Sequence, residues 1–304
     1  MIYLVRHKTT YTYEAPVAFA RCVLRLTPQS SAAQTVLEHS VSLRPSPRQS
    51  TEQTGPFGEH AVTVLIDRPH KVLVVEARSR VEVHAATMNA LLASTPWEHV
   101  REVTCSHNDI GPAGPAGYLY PTPRAPLASE ITEYARKSFS PGTPIIQAVT
   151  DLMQRIKADF AFDPKATDVT TSPLVAFKAR RGVCQDFAHI MISGLRGLGL
   201  PAAYVSGYLR TIPPPGQRRL EGADATHAWV SVCCGEGAGW IGFDPTNAIL
   251  VENDHIVLAV GRDYADVPPI EGVLLSHGRQ ELKVEVDVIP EEDVGATRKS
   301  NLSA

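Results

Sequence analysis

The chain has 304 residues, of which 43% are hydrophobic and 20% charged, and its formal net charge is -3. This composition is typical of a soluble globular protein with one large domain or two ordinary ones. The small net charge, with acidic and basic residues interspersed, provides no field that would gather nucleic acid or an anionic membrane. We therefore expect neither of them as a partner.

The N-terminus and the cysteines bear on location. Charged residues follow a short apolar stretch in Met-Ile-Tyr-Leu-Val-Arg-His-Lys, so no secretory signal is expected. No apolar run approaches the roughly 20 residues of a membrane helix. The five cysteines are scattered without a CxxC pair, which disfavours a zinc or redox site. We expect free thiols, a cytoplasmic location and no metal or other cofactor.

The first part of the chain has the patterns of short β-strands. Residues 35–43 and 78–83 alternate between apolar and polar, and residues 61–66 and 72–75 are rich in β-branched side chains. Pro, Ser and Gly clusters separate these segments, which is typical of a sandwich. A Gly/Pro-rich stretch at 111–126 reads as a connection. We predict an N-terminal β-sandwich domain over residues 1–125.

Helical patterns follow, and the overall class is predicted to be α+β. Ser129 is predicted to cap one helix and Thr143 a second; a third short helix is expected to start at 172–174, before a helix that begins near Cys184 and ends at Gly199. Strands are expected over 202–209, 228–234, 240–244 and 282–288. The catalytic core would therefore span 126–290, and residues 291–304 would form a disordered tail.

Cys184 lies at the predicted start of a helix, directly after Gly182 and Val183. The N-terminus of a helix presents unpaired N–H groups and partial positive charge, which stabilise a thiolate and can also stabilise an oxyanion. An isolated free cysteine is more often a small buried apolar residue. The assignment of Cys184 as a nucleophile therefore depends on its partners.

His227 and Asp244 are the predicted partners. They lie on two strands joined by the Gly-rich segment 235–239, so the strands should pair as an antiparallel hairpin. A two-residue loop would place the two side chains directly opposite each other, and a four-residue loop would make them diagonal neighbours on one face. A loop with an odd number of residues would separate them.

A mechanism follows if the three residues meet. His227 would take the thiol proton of Cys184 or hold the thiolate as an ion pair, and Asp244 would orient the imidazole while the thiolate attacks an amide or ester carbonyl. The backbone N–H of Cys184 is the first candidate oxyanion donor, and the Tyr208 hydroxyl is a second one that could equally be a core aromatic. Trp229 could shield the ion pair or simply fill the core.

Other residues near these segments have alternative interpretations. His189 is expected on the helix surface or behind the site, and Asp186 is expected to complement the helix dipole. Cys233 and Cys234 are assigned to packing. The segment 210–226 is either a substrate lid or a solvated excursion.

Several segments in order resemble bacterial transglutaminase-like proteins, and the N-terminal part resembles the β-rich domain that precedes the core in many members. The resemblance implies a papain-like core with an antiparallel sheet packed on the nucleophile helix, and it carries the triad roles onto Cys184, His227 and Asp244. The segments are 181–189, 195–208, 222–230, 239–247 and 261–269.

The resemblance leaves the reaction open. The leading hypothesis is a bacterial cysteine protease or amidase, a hydrolase that cleaves peptide or isopeptide bonds through a thioester. The alternatives are transglutaminase-type acyl transfer to amines and a peptide-binding or assembly module with an idle triad. The sequence does not indicate the oligomeric state.

Overall fold

The computed structural model describes residues 1–84, 95–212, 222 and 224–293. Among them, antiparallel sheets dominate a mixed α/β fold. The strands are β1 (Ile2–Val17), β2 (Phe19–Leu24), β3 (Gln34–Arg44), β4 (Gln49–Thr54), β5 (His60–Ile66), β6 (His70–Val83), β7 (Ala161–Phe162), β8 (Arg181–Gly182), β9 (Ala202–Leu209), β10 (Ala225–Cys233), β11 (Trp240–Asp244), β12 (Ile249–Leu250), β13 (His255–Gly261), β14 (Ile270–Leu275) and β15 (Gln280–Pro290).

The N-terminal strands form two four-stranded sheets with the orders β15-β1-β6-β3 and β14-β2-β5-β4. Alternate residues of β1 are buried, as expected for a strand with one face on a core. Side chains from both sheets meet in one apolar cluster that includes Val17, Leu24, Ile66 and Leu73. The strand-rich character predicted for this part of the chain is therefore present.

The last two strands return to these N-terminal sheets. β15 pairs with β1 from Tyr3↔Pro290 to Tyr13↔Gln280, and β14 pairs with β2 from Leu24↔Ile270 to Phe19↔Leu275. Residues 270–275 and 280–290 were predicted to belong to the catalytic core, but they lie in the two N-terminal sheets. Strand pairing over such a separation depends on tertiary contacts, which local patterns do not reveal.

Among the described residues outside these two sheets, five helices lie around a third sheet with the order β12-β11-β10-β9-β13. Two short 3₁₀ segments, Pro115–Tyr118 and Tyr264–Asp266, lie in the connections. The helices are α1 (Trp97–Ser106), α2 (Ser129–Arg136), α3 (Ile145–Asp159), α4 (Pro173–Ala179) and α5 (Cys184–Gly197).

Helix α5 is the centre of this second part. Twelve of its residues are buried, because it is enclosed by helices on one side and by the sheet on the other. Phe187 and Met191 share one apolar cluster with Val230 and Val232 of β10 and with residues of α2 and α3. This packing fixes the first turn of α5, which carries Cys184, beside the start of β10, where His227 lies.

Some local predictions differ from the structure. Helix α1 was missed, and Ser129 is the first residue of α2 without making a capping hydrogen bond. Ser172 does cap α4, because its side chain accepts a hydrogen bond from the Val175 N–H. In the predicted tail, Glu291 forms a two-pronged ion pair with Arg80 at 2.8 Å; residues 294–304 lie outside the described part of the chain.

No helix in the described ranges combines the length and apolar character needed to cross a bilayer.

Candidate active site

The turn before α5 places Cys184 at the first helical position. Arg180 adopts a left-handed conformation (φ 53°), and Val183 is extended with φ -114° and ψ 179°. The Val183 carbonyl accepts hydrogen bonds from Asp186 N and Phe187 N at 3.0 and 3.1 Å. The amides of Cys184 and Gln185 precede these bonds, so the internal bonding of the helix does not use them.

Asp186 holds this turn in place. Its Oδ2 accepts hydrogen bonds from the Val183 N–H at 2.8 Å and from the Thr167 hydroxyl at 2.6 Å, and its side chain is buried. A Cβ at position 182 would lie 2.6 Å from the same oxygen, so glycine is required there. Burial raises the pKa of Asp186. Its role therefore extends beyond the favourable dipole position that its place in the sequence suggested.

The β10–β11 hairpin brings His227 and Asp244 together. The register pairs Val230 with Phe243 and Cys233 with Trp240, and the Cys234 N–H donates to the Gly239 carbonyl at 2.8 Å, which leaves residues 235–238 as a four-residue connection. In this register Asp244 is diagonal to His227, the second of the two even-loop arrangements considered above. His227 Nε2 lies 2.8 Å from Asp244 Oδ2, and both side chains are buried.

Asp244 is fully buried, and its carboxylate accepts five hydrogen bonds. Oδ2 accepts from His227 Nε2, from Asn247 Nδ2 at 2.7 Å and from His255 Nε2 at 3.3 Å. Oδ1 accepts from the backbone N–H groups of Thr246 and Asn247. Burial alone would raise the pKa of Asp244, but the donors from His227 and His255 hold it well below its usual range.

An ionised Asp244 determines the protonation of the two imidazoles. A carboxylate only accepts, so His227 and His255 must each carry a proton on Nε2. The Nδ1 atom of His227 is then the nitrogen that remains for Cys184. Burial lowers the pKa of His227, but hydrogen bonding and charge interactions with Asp244 and Cys184 outweigh it and raise this pKa to about 10.

Cys184 and His227 open into a shared cavity of about 290 Å³. Its wall also includes Gln185 of α5, Tyr204 of β9 and three residues of β1. The described residues that line it include no Asp, Glu, Lys or Arg. A hollow of about 660 Å³ lies elsewhere, over β1, β3 and β6, but no cysteine lines it. The smaller cavity is the one with a candidate nucleophile.

Tyr208 and Trp229, which the sequence suggested as supporting residues, lie behind the cavity. The Tyr208 hydroxyl is 2.9 Å from His7 Nδ1, and the Tyr208 ring packs in a buried cluster, so the hydroxyl is not positioned beside Cys184. Trp229 is 1% exposed, with its ring centroid 6.1 Å from that of His227 and 5.1 Å from that of His255. It supports both imidazoles from the buried side.

His189 is buried, contrary to the helix-surface position considered for it. Its Nε2 accepts a hydrogen bond from the Tyr264 N–H at 3.2 Å, and its ring lies against Tyr204. Burial lowers its pKa to about 4, so it is neutral near pH 7. Because Tyr204 and Tyr264 both line the cavity, His189 positions two wall residues. Cys233 and Cys234 are buried, and the cavity wall includes neither of them.

The atoms of His227, Asp244 and His255 lie close enough together to consider a metal. Their geometry fits hydrogen bonding instead, because Asp244 Oδ2 already accepts from both imidazoles and from Asn247. A metal would require both Nε2 atoms to lose their protons. We therefore assign His227 and His255 as hydrogen-bond donors to the Asp244 carboxylate rather than as metal ligands.

Sequence reasoning missed His255 and Asn247. Asn247 follows Asp244 by three residues, and the Asp-Pro-Thr-Asn turn is a signal that could have suggested a side chain folded back on the aspartate. His255 begins β13, and no local pattern connects it to a strand eleven residues earlier. Most of the proposed lid lies outside the described residues, because 213–221 and 223 are not described.

Comparison with known families matches both parts of the chain. Residues 3–82 match the bacterial transglutaminase-like N-terminal region, and residues 132–245 match the transglutaminase-like superfamily. An uncharacterised protein of Mycobacterium tuberculosis is 37% identical, with 95% of this chain and 93% of that protein covered. The chain belongs to the transglutaminase-like superfamily. The resemblance seen in the sequence is confirmed.

One solved structure and one curated protein show further similarity to this superfamily member. A solved structure of a candidate cysteine protease from Cytophaga hutchinsonii superposes with a TM-score of 0.73 at 21% identity, and covers 95% of this chain and 91% of that one. At that identity the likeness shows the fold. A protein-glutamine gamma-glutamyltransferase of Pseudomonas aeruginosa is 27% identical over 128 residues, which are 42% of this chain and 19% of that protein.

Proposed function

We propose that the protein is a cysteine-nucleophile enzyme that cleaves amide bonds of peptide or isopeptide substrates through a thioester. One observation carries the proposal. Cys184, at the N-terminus of α5, shares a cavity with His227, whose other ring nitrogen is 2.8 Å from a buried, ionised Asp244. A nucleophile, a base and a residue that orients the base are the parts that covalent acyl chemistry needs.

The reaction starts with proton transfer from the Cys184 thiol to His227 Nδ1. The thiolate attacks the carbonyl carbon, and the new oxyanion lies near the N–H of Cys184 at the helix N-terminus. His227 then gives its proton to the leaving amine as the C–N bond breaks, which leaves a thioester on Cys184. Water, deprotonated by His227, releases the acid and restores the thiol.

Two features of the site favour this cycle. Asp244 stabilises the imidazolium that forms in each half-reaction, and the pKa of about 10 for His227 shows how strongly the charged form is preferred. The side-chain amide of Gln185 lines the cavity next to the nucleophile. Its Nε2 is 3.4 Å from the Val169 carbonyl, a long contact that leaves the amide available to a substrate oxygen.

The test compares wild type with Cys184→Ala on a library of peptide and isopeptide substrates, with the acyl-enzyme detected by intact mass after acid quenching. We expect cleavage and a thioester adduct in the wild type only. Iodoacetamide should also modify Cys184 faster at neutral pH than Cys105, which is the exposed free thiol among the described residues. Equal rates at the two thiols would contradict the proposal.

Acyl transfer to an amine is the second candidate. Its support is the similarity over 128 residues to the Pseudomonas aeruginosa protein-glutamine gamma-glutamyltransferase. Both reactions share the same thioester, so the acceptor decides between them. Partition of the trapped thioester between water and added primary amines measures this directly, and exclusive hydrolysis would rule out the transferase.

A further inference from the structure

One wall of the catalytic cavity comes from the N-terminal sheet. His7, Thr9 and Tyr11 are alternate residues of β1, so they project from the same face of the sheet. The register places Val284 opposite Thr9 and Leu282 opposite Tyr11. Directly paired residues of antiparallel strands also share a face. All five side chains line the cavity that holds Cys184.

This wall continues beyond the cavity. A second hollow of about 160 Å³ shares Tyr11 and Ile270 with the first, and is lined further by Tyr13 and Gln280, which pair across β1 and β15. From His7 to Tyr13 the strand advances by six residues, or about 20 Å at roughly 3.3 Å per residue. The combined groove is long enough for several residues of an extended peptide.

The groove lies between two sheet edges. β15 is the outer strand of one N-terminal sheet and β14 is the outer strand of the other. Sheet edges carry unpaired N–H and C=O groups that can bind an extended chain. Among the described strands, the outer edges of β14 and β15 have no further strand beside them, apart from the bridge between Val286 and Asp224, so an extended peptide could add there.

The β15 side of the wall is apolar, and the β1 side contributes only uncharged polar groups together with His7. Leu282 and Val284 remain 55% and 43% exposed, although each borders a cavity without a carboxylate, ammonium or guanidinium among its described lining residues. Covering such side chains with an apolar group is favourable. A charged group placed there would lose water and find no ion partner. The wall therefore selects for uncharged, apolar side chains.

We propose that the β1–β15 wall is the acyl-donor subsite of the enzyme, and that it selects peptides with an apolar side chain next to the scissile carbonyl. This inference rests on the proposed function, since it names the substrate class of the same site. It assigns a role in specificity to the N-terminal sheet and to Leu282 and Val284.

The test uses peptidyl chloromethyl ketones, acetyl-Gly-X and acetyl-X-Gly, with X as Leu, Phe, Asp or Lys. Cys184 Sγ displaces chloride from the reagent and forms a C–S bond, so the rate reports acyl-side recognition without turnover. Each peptide rate is divided by the iodoacetamide rate of the same protein. In the acetyl-Gly-X series, where X adjoins the ketone carbonyl, we expect Leu or Phe to react at least about tenfold faster than Asp or Lys, which is the range that an apolar pocket supplies. A preference confined to the acetyl-X-Gly series would overturn the proposal.

Leu282→Lys and Val284→Lys are the test variants, and Leu275→Lys is the matched control. Leu275 is also an exposed leucine on an outer strand, 63% exposed, but it borders neither hollow. We expect the two test variants to lose the preference for Leu and to gain rate with Asp, while the control keeps the wild-type ratios. Circular dichroism checks that all variants are folded.

The outcomes separate the two proposals. If iodoacetamide does not modify Cys184 faster than Cys105 in the wild type, the catalytic proposal fails. If Cys184 is reactive but X makes no difference, the subsite is wrong while the catalytic proposal stands. The subsite is also wrong if all three lysine variants change the ratios equally.

Discussion

Replacement of Asp244 by asparagine tests the electrostatic core of the site. Asparagine keeps the volume but removes the charge that stabilises the His227 imidazolium. The pKa of His227 rises from its ordinary 6.5 to about 10, which corresponds to about 5 kcal/mol in favour of the charged form at 1.36 kcal/mol per pH unit. Asp244 and Cys184 share this effect. Loss of the Asp244 charge should therefore remove a large part of the preference for the imidazolium.

The expected result follows from the direction in which burial and Asp244 each shift the pKa of His227. Without Asp244, His227 loses the hydrogen bond and the charge that favour its imidazolium form, while the burial that opposes this form remains, so the pKa of His227 falls and the thiolate–imidazolium ion pair is less populated. Alkylation of Cys184 by iodoacetamide at pH 7 should slow by about 10- to 100-fold, because a hydrogen bond to a charged group is worth about 1.5–3 kcal/mol. Amide cleavage should fall further, by up to about 10⁴, because the imidazole tautomer is also no longer fixed.

The assay is the rate of Cys184 carboxamidomethylation between pH 5 and 10, followed by peptide mass spectrometry. Asp287→Asn is the control, because Asp287 is a buried carboxylate on β15 that accepts a hydrogen bond from Gly222 and does not line the cavity. Overlapping pH profiles for wild type and Asp244→Asn would refute the proposed ion pair. A similar loss in Asp287→Asn would show that general destabilisation explains the result.

The other predictions concern the support of the site. His255→Ala should lower kcat/KM by about 10- to 100-fold with KM little changed, because a hydrogen bond to a charged group is worth about 1.5–3 kcal/mol; His255→Gln should recover part of the loss. Asp186→Ala should lower the free energy of unfolding in urea by about 1–3 kcal/mol, because Val183 N–H loses its acceptor. Gly207→Ala should destabilise by at least about 1–3 kcal/mol in the same assay, because its Cβ would lie 2.2 Å from the Ile256 carbonyl oxygen and 2.4 Å from the Trp229 ring. The contribution of His227 to wild-type stability should be complete below about pH 6.5 and should disappear as the pH rises through about 10, since its folded pKa is raised. Urea unfolding measured over a pH series checks this. The same dependence of the unfolding free energy on pH in Asp244→Asn would contradict it.

Local chemistry was enough to predict some elements. The start of α5 at Cys184 follows from the glycine before it and the helical periodicity after it, and the β10–β11 hairpin follows from two strands around a glycine-rich turn. The diagonal relation of His227 to Asp244 was one of a few registers that the loop allowed. These features depend on residues close together in the chain, where propensity and turn geometry act directly.

The residues that hydrogen-bond to Asp244 were harder to predict from the sequence. His255 reaches the carboxylate from β13, which joins the sheet on the far side of β9 from β10. Only the strand order brings this histidine to Asp244, and a lone His at a strand start has no distinguishing pattern. The Tyr208 hydroxyl shows the converse case, since a strand aromatic near the site is held by His7 from another sheet.

The cavity wall shows why the substrate was the least predictable part. Thr9 and Val284 are separated by almost the whole chain, yet they pair directly and face the same nucleophile. The bridge between Asp224 and Val286 joins the beginning of β10 to β15, so the strand that carries His227 and the strand that carries Leu282 and Val284 are held together. The candidate triad is built by contacts within one sheet and α5, whereas the proposed substrate surface requires β1 and β15. Substitutions in β15 should therefore change which peptides react before they change the chemistry at Cys184.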